Sequence, residues 1–515
     1  MDRFDAVVVG SGPNGLVAAA LLGRAGWRVL VLERSAVAGG AVASAALTVP
    51  GYVHDTCSAF YGMLHASPVF HELELDRRVA WASFPVPWAA LVGPSAGARC
   101  LLDPRATADE LATRSPADAD AWLDLCRWWD GAGRRFLDAM LGPVGAPLPA
   151  ARLVAASGVA GMLELARTLV QPMEALARHR FESPLTQILL ASGVSHTDVA
   201  VDQAGSVPAA LILAMVAQTY GMPVPVGGAG QLAVALAGAV TDAGGRIRTG
   251  AEVSRIVVER GRAVAVECRD GFSARLGRAV LADVGPSILF GRLVDPIALP
   301  PSFFDGLRQF RYGTGMFKVD LALSGPVPWL APGLEGCGVV HLTGDLDNMA
   351  VAAFEARRGR LPSRPMLIVG QQSVADSTRA PDGGHTLWVE TPVPPARTGA
   401  WADEDRRVAF LETVLERLEA HAPGLRSQIV DMAVRTPRDL EAENPNLVDG
   451  DVGGGSMALD QQLVFRPVPG WWRYSTPIRG LYLCSASAHP GGGVHGMVGR
   501  NCARRVLADA RLRRI

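Results

Sequence analysis

Lysine is almost absent from this chain: Lys318 is the only one, and every other basic residue is an arginine. Paired cysteine is missing too. The seven cysteines (Cys57, Cys100, Cys126, Cys268, Cys337, Cys484 and Cys502) are scattered with no C-x-x-C spacing, which excludes a disulfide framework and a dithiol redox centre. Charge of one sign is lacking. With 49 basic against 50 acidic residues and no basic block with interleaved aromatics, there is no footprint for a nucleic-acid backbone, and no nucleic-acid partner is expected. The most apolar window, 207–220, is interrupted by Pro208 and Gln218 and is too short to span hydrocarbon, so no transmembrane helix is predicted. An acidic residue on each side of Arg3-Phe4 precedes the first apolar run, unlike a signal peptide, and a cytoplasmic location is expected. Neither H-E-x-x-H nor a Cys/His cluster occurs, which leaves a zinc enzyme without support and sets the expected metal sites to none.

What remains is a chain of 515 residues, 49% hydrophobic, with 57 glycines. That is enough for two to four structural units or one large interleaved enzyme. Ala6-Val7-Val8-Val9 reads as a central parallel strand, followed directly by Gly10-Ser11-Gly12-Pro13-Asn14-Gly15, a helix over 16–25 and a second buried strand over 29–32 that ends at Glu33. Gly10 permits the tight turn, Gly12 lets backbone approach a pyrophosphate, and Gly15 lets helix pack on strand. The helix N-terminus offers unpaired N–H groups and a positive dipole, and Glu33 would accept hydrogen bonds from a ribose. Strand, helix, strand and acid in register make a dinucleotide-binding unit.

Glu33-Arg34-Ser35-Ala36-Val37-Ala38-Gly39-Gly40 extends that unit with a glycine pair. The stretch resembles the fingerprint of FAD enzymes of the amine-oxidase and phytoene-desaturase superfamily, with Ala38 and Ala41 where many members carry Arg. Gly51-Tyr52-Val53-His54-Asp55-Thr56-Cys57 resembles a phytoene-desaturase stretch, with Cys57 in place of glycine. Near the other end, a strand at 481–484, the turn His489-Pro490-Gly491-Gly492-Gly493-Val494-His495-Gly496-Met497 and a helix over 498–507 look like the family's C-terminal flavin segment, with Ser485-Ala486 where many flavoproteins are acidic. The resemblance implies noncovalent FAD held by Gly10, Gly12, Pro13, Asn14, Gly15, Glu33, Arg34, Gly39, Gly40, Val253, Ser485, Gly492, Gly493, Val494 and Met497. Only one complete fingerprint exists, so no dedicated nicotinamide domain is expected.

The implied fold is α/β: a Rossmann-like FAD-binding domain assembled from 1–75, 227–290 and 475–515, interleaved with an α+β substrate domain from 76–226 and 291–474. Between them, Gly227 to Gly230 opens a helix to about 243, followed by strand-like runs at 246–248, 253–258, 263–268, 272–276 and 279–283. A helical insertion is expected over about 104–222, with helices at 108–113, 117–141, 153–170 and 207–222. Two readings of its apolar residues stay open. Trp122, Trp128, Trp129 and Phe136 are core packing or a substrate wall, and helix 207–222 is core, cavity wall or a membrane-surface contact. Further strands are expected over 311–323, 367–371 and 386–390, and a helix over 406–421.

Flavin supplies hydride acceptance at N5, so the protein needs mainly to hold a C–H bond against the ring. Candidate acid/base groups are His495 in the glycine turn, His54 and Asp55 in the 51–57 stretch, and Lys318 with Asp320, which period-two spacing places on one strand face. For each, a purely structural role is the alternative. His489 is read as stabilising its turn, and Cys57 as a buried thiol rather than a covalent flavin link. The expected activity is dehydrogenation or desaturation of an apolar or amphipathic small molecule, with oxygen, a quinone or another acceptor taking the electrons. Redox-neutral isomerisation or cyclisation on FAD, and a flavin-binding scaffold acting through partners, are the alternatives. The oligomeric state is not readable.

Overall fold

Short β-branched runs buried on both faces can be satisfied only in the middle of a sheet, and Val7, Val8, Leu30, Val31, Val280 and Leu281 form such a centre. A computed structural model describes residues 2–512. Strand Asp2–Val9 pairs in parallel with Val29–Leu32 on one side and Ser273–Ala282 on the other. Arg246–Arg248 extends the sheet beyond Val29–Leu32, and Leu481–Leu483 pairs in parallel with the far end of Ser273–Ala282. Val253–Glu259 and Arg262–Cys268 complete it as an antiparallel flap on the near end of that strand. The expected runs at 272–276 and 279–283 are thus one strand, interrupted only by a register shift opposite Phe4 and Ala6. Helices Pro13–Arg24, Ala229–Asp242 and Met497–Arg511 pack around this sheet.

A second seven-stranded sheet runs Ile429–Arg435, Gly315–Leu323, His385–Val393, Leu367–Gly370, Cys337–Leu342, Val86–Leu91, Gly97–Cys100. One face carries Phe317, Val319, Leu321 and Val389 against Phe410 and Val414 of helix Glu404–His421. The opposite face carries Lys318, Asp320, Trp388, Glu390, Val339, His341 and Trp88, and Val339, Trp88 and Trp388 pack into the main core shared with the other lobe.

Helices from Pro104–Ala112 to Val207–Tyr220 cover this assembly. Trp122, Trp129 and Phe136 are buried core, with a π-helical turn at Trp129–Gly133 interrupting the expected continuous helix 117–141. Helix Val207–Tyr220 is buried along most of its length, so it is not a membrane-surface element. The exposed apolar helix is Pro147–Val170, with Leu148, Val154, Val159, Leu163 and Val170 open to solvent. Against the expectation of none, this helix is long and apolar enough to cross a membrane by length and composition. Gly158 breaks it, at φ 65° and ψ 178°. Each half is about a dozen residues, or about 18 Å, short of the ~30 Å hydrocarbon thickness.

Candidate active site

Two helix N-termini meet over the first sheet. Gly12 precedes helix Pro13–Arg24, and Gly496, at φ +69°, precedes helix Met497–Arg511. They meet because Gly499 has no side chain: a Cβ there would lie 2.0 Å from the Asn14 carbonyl oxygen. The Gly499 N–H donates to Asn14 Oδ1 at 3.3 Å. Gly15 packs equally closely, its N–H donating to Asp283 Oδ2 at 2.8 Å, and a Cβ would meet the Gly10 oxygen at 2.7 Å. Burial pushes the Asp283 carboxyl well above the usual carboxylate range. That favours a neutral acid at the point where a phosphate would approach.

From this junction runs a cleft of about 370 Å³. Its floor is Gly10 to Asn14 and Gly40 to Ala43. One end is formed by Ala251, Val253, Ser254 and Arg269, the other by Gly454, Ser485 to Ser487, Gly493 and Val494. Glu33 lines it, its carboxylate accepting from Ser11 N–H (2.9 Å), Ser11 Oγ (2.7 Å) and Ser35 N–H (2.8 Å). A Cβ on Gly12 would sit 2.6 Å from Asp283 Oδ2, and one on Gly40 3.0 Å from Gly12 Cα, so a side chain would close the cradle. An extended dinucleotide fits these walls, with backbone N–H groups at its pyrophosphate. Arg34, Arg269 and Arg292 border the cleft, so cationic side chains are at hand although Ala38 and Ala41 carry no charge.

Most of the residues named for cofactor contact do line this cleft: Gly10, Gly12, Pro13, Asn14, Glu33, Arg34, Gly40, Val253, Ser485, Gly493 and Val494. Four lie behind it. Gly15 and Gly39 are packing positions, Gly492 is pressed against the Gly453 backbone, and the Met497 side chain is buried. A further residue, Arg466, is fully buried and donates to the carbonyls of Gly454, Ser456 and Ala486, clamping two glycine-rich segments together.

The candidate acid/base residues separate into two groups. His495 turns inward: its Nδ1 accepts the Met497 N–H at 3.1 Å, its carbonyl accepts from Ser67 Oγ, and burial lowers its pKa to about 4. It closes the helix N-terminus rather than facing the cleft. Asp55 is likewise structural, held by Arg379 (2.8 Å) and Ser44 Oγ (2.8 Å) and accepting the Ala229 N–H (2.7 Å) at the start of helix Ala229–Asp242. His489 reaches the Gly142 carbonyl and so ties its turn to the helical insertion. Cys57 keeps partial access, yet burial pushes its thiol up to about 12, far from a reactive thiolate.

Lys318, Asp320 and His54 do come together. The Lys318 ammonium is paired with Asp320 Oδ1, Arg435 holds Asp320 Oδ2 at 2.7 Å, and His54 Nδ1 stands 3.9 Å from Oδ1. All three members of this group are buried, and burial lowers the pKa of both Lys318 and His54. Directly across the ladder from Lys318 is Glu390, which sequence reasoning passed over. Among the described residues it makes no hydrogen bond or ion pair within 4 Å, and burial raises its pKa to about 8 despite the nearby ammonium. A strand reading of 386–390 could have placed it beside Lys318 only with the pairing register in hand.

Comparison with known proteins places this architecture. The model of the flavin containing amine oxidoreductase family matches residues 14–507. The chain is 31% identical to the mouse (Mus musculus) pyridine nucleotide-disulfide oxidoreductase domain-containing protein 2, over 98% of this chain and 94% of that one. It is 24% identical to a neurosporene-forming phytoene desaturase of Cereibacter sphaeroides, over 97% and 93%. The solved structure of an oxidoreductase from Methanosarcina mazei shares the fold, with a TM-score of 0.62 at 18% identity over 99% of this chain and 100% of that chain. The chain therefore belongs to the flavin containing amine oxidoreductase family and is an FAD-dependent oxidoreductase.

Proposed function

We propose that this enzyme is a dehydrogenase or desaturase that removes hydride from a C–H bond of an apolar or amphipathic organic molecule. The observation that carries this reading is the inner face of the second sheet, where Trp88, Val339 and Trp388 pack into the main core under apolar helices such as Pro184–Ala191 and Val207–Tyr220, with Lys318, Asp320, Glu390 and His341 buried on the same face. The likeness to a phytoene desaturase supports it. FAD, when bound, supplies hydride acceptance. The chain's own residues bury Lys318 and Glu390, which hold exchangeable protons on that sheet face. Anaerobic mixing of the holoenzyme with fractionated metabolite extracts tests the reading. Flavin bleaching with a product two mass units lighter supports it. A product of unchanged mass without bleaching overturns it in favour of isomerisation.

The two halves of helix Pro147–Val170 point to delivery of such a substrate from a lipid surface. Exposed Val159 and Leu163 share the segment Pro147–Val170 with Arg152 and Arg167, and the stretch leading into the helix, 143–146, shares a cleft with Trp472, Arg473, Arg504 and Arg505. Apolar side chains beside arginines suit an interface with anionic headgroups. Co-sedimentation with phosphatidylglycerol vesicles, lost in a Val159→Glu/Leu163→Glu variant, is the expected result.

A further inference from the structure

A second cleft, of about 360 Å³, shares no residue with the flavin cleft. Its volume falls within the roughly 300–1,000 Å³ of small-molecule sites. Three separate segments wall it: 143–146, which leads into helix Pro147–Val170; Trp472, Arg473 and Tyr474, in the loop ahead of strand Leu481–Leu483; and Asn501, Arg504 and Arg505, on helix Met497–Arg511. The last three are spaced i, i+3 and i+4, so one helix face turns them all to the cleft.

The wall carries three guanidinium groups and, among the described residues, no carboxylate. Two acids beside it answer only part of that charge. Glu72 pairs with Arg500 and stands 3.5 Å from Arg504 Nη2. Asp509 Oδ2 accepts from Arg505 Nε at 2.7 Å and from the Tyr482 hydroxyl at 2.9 Å. Four arginines thus share two carboxylates. Arg473 has no ion pair or hydrogen bond among the described residues; its guanidinium lies over the Trp472 ring, 5.4 Å from the centroid. Stacking places that group at the cleft while leaving its N–H donors open.

The inner end is polar as well. Tyr474 and Asn501 are the buried members of the wall. Asn501 Nδ2 donates to the Leu141 carbonyl at 2.9 Å, which fixes the amide and turns Oδ1 the other way. That oxygen and the neighbouring Tyr474 hydroxyl are both buried without a hydrogen bond of good geometry among the described residues. An apolar occupant would leave the guanidiniums and these groups unpaired, whereas a polar, anionic one relieves both.

Phosphate suits this wall better than carboxylate. A carboxylate offers two oxygens in one plane and is matched by one planar fork, while arginines that enter from a loop and from a helix address oxygens in different planes. We propose that this cleft binds a phosphate group, carried either by an anionic phospholipid headgroup or by a soluble phosphate ester, with Arg473, Arg504 and Arg505 donating to its oxygens and the Tyr474 hydroxyl at its inner end. The site extends the lipid-surface reading of helix Pro147–Val170 without resting on it, because a soluble ester would fill the same cleft.

Calorimetric titration of the holoenzyme, at about 0.15 M salt so that exposed charges more than ~8 Å apart are largely screened, tests the assignment. The probes are glycerol 3-phosphate, glycerol, and dihexanoyl phosphatidylglycerol kept monomeric. Glycerol should not bind, and at least one phosphate probe should. Arg473→Gln should weaken that binding at least about tenfold, the order expected for a charge-assisted hydrogen bond. Arg473→Lys should restore only part of it, since an ammonium lacks the fork. Tyr474→Phe should cost about threefold. Binding of the ester alone assigns the site to a soluble ligand and binding of the lipid alone to a headgroup, and either upholds it. No binding by either phosphate probe, or binding that both Arg473→Gln and Arg504→Gln leave unchanged, overturns it. The Val159→Glu/Leu163→Glu variant should keep phosphate binding even where it loses vesicle binding, which upholds the site and separates it from the lipid-surface reading.

Discussion

Glu390→Gln isolates the energetic cost of carrying an ionisable group on the inner sheet face. The carboxyl is buried opposite Lys318, and burial raises its pKa from an ordinary 4.5 to about 8, with Lys318 pulling it down and Asp320 pushing it up. The folded state therefore binds a proton that the unfolded chain releases. Stability from that proton is complete below the usual carboxylate range, declines as pH rises from 4.5 toward 8, and is gone above it. A shift of about 3.5 units corresponds to about 5 kcal/mol, of which about 3.5 kcal/mol is lost between pH 5 and pH 8. Glutamine keeps the shape and cannot ionise, so its stability relative to wild type should rise by that amount over the same interval. Urea midpoints of both proteins, measured at several pH values with the slope held common, read it out. A difference between the two proteins that stays flat within about 1 kcal/mol from pH 5 to pH 8 would show that Glu390 is ionised in the fold, and would refute the reasoning.

Gly12→Val should abolish FAD retention, because its Cβ would lie 2.6 Å from Asp283 Oδ2 on the floor of the cleft; the visible spectrum of purified protein checks this, and a normal flavin content would sink it. Lys318→Met should slow flavin reduction by substrate about 10²-fold at unchanged FAD content; Asp320 keeps Arg435 as partner, so the fold survives. His495→Ala should do the opposite, lowering flavin retention by freeing the Met497 N–H at a helix start while reduction per bound flavin stays intact. The flavin should be released on denaturation, with no flavin-sized mass increment left on the chain, since the Cys57 thiol stays protonated.

The N-terminal unit was legible because its signals are local: Gly10, Gly12, Gly15 and Glu33 act within one turn, helix and strand of each other. The same holds for the turn at Gly493 and Val494. What escaped depends on register across distant segments. Glu390 meets Lys318 only because two strands 72 residues apart pair in one register. Gly499 is needed small because of Asn14, 485 residues away. Strand Val86–Leu91 contains Pro87 and is buried throughout, so it shows neither alternation nor freedom from strand breakers. Strand Gly315–Leu323 is buried on both sides, and its charged residues, which alternation assigns to a polar face, in fact face the interior. His495 was aimed at the cavity because its glycine turn reaches the flavin; unpaired donors at the following helix start draw the imidazole back instead.

Backbone from Val9 to Val494 walls the flavin cleft, and the two helices that aim at it meet through Asn14 and Gly499. On the ribosome this order matters. Translation at about 5 to 20 residues per second leaves roughly 25 to 100 seconds between the emergence of the glycine fingerprint and that of its partner helix. Through the first half of that interval strand Asp2–Val9 lacks its neighbour Ser273–Ala282 and presents an open edge. Capture of the flavin therefore waits until the segment around Gly493 and Gly499 has emerged.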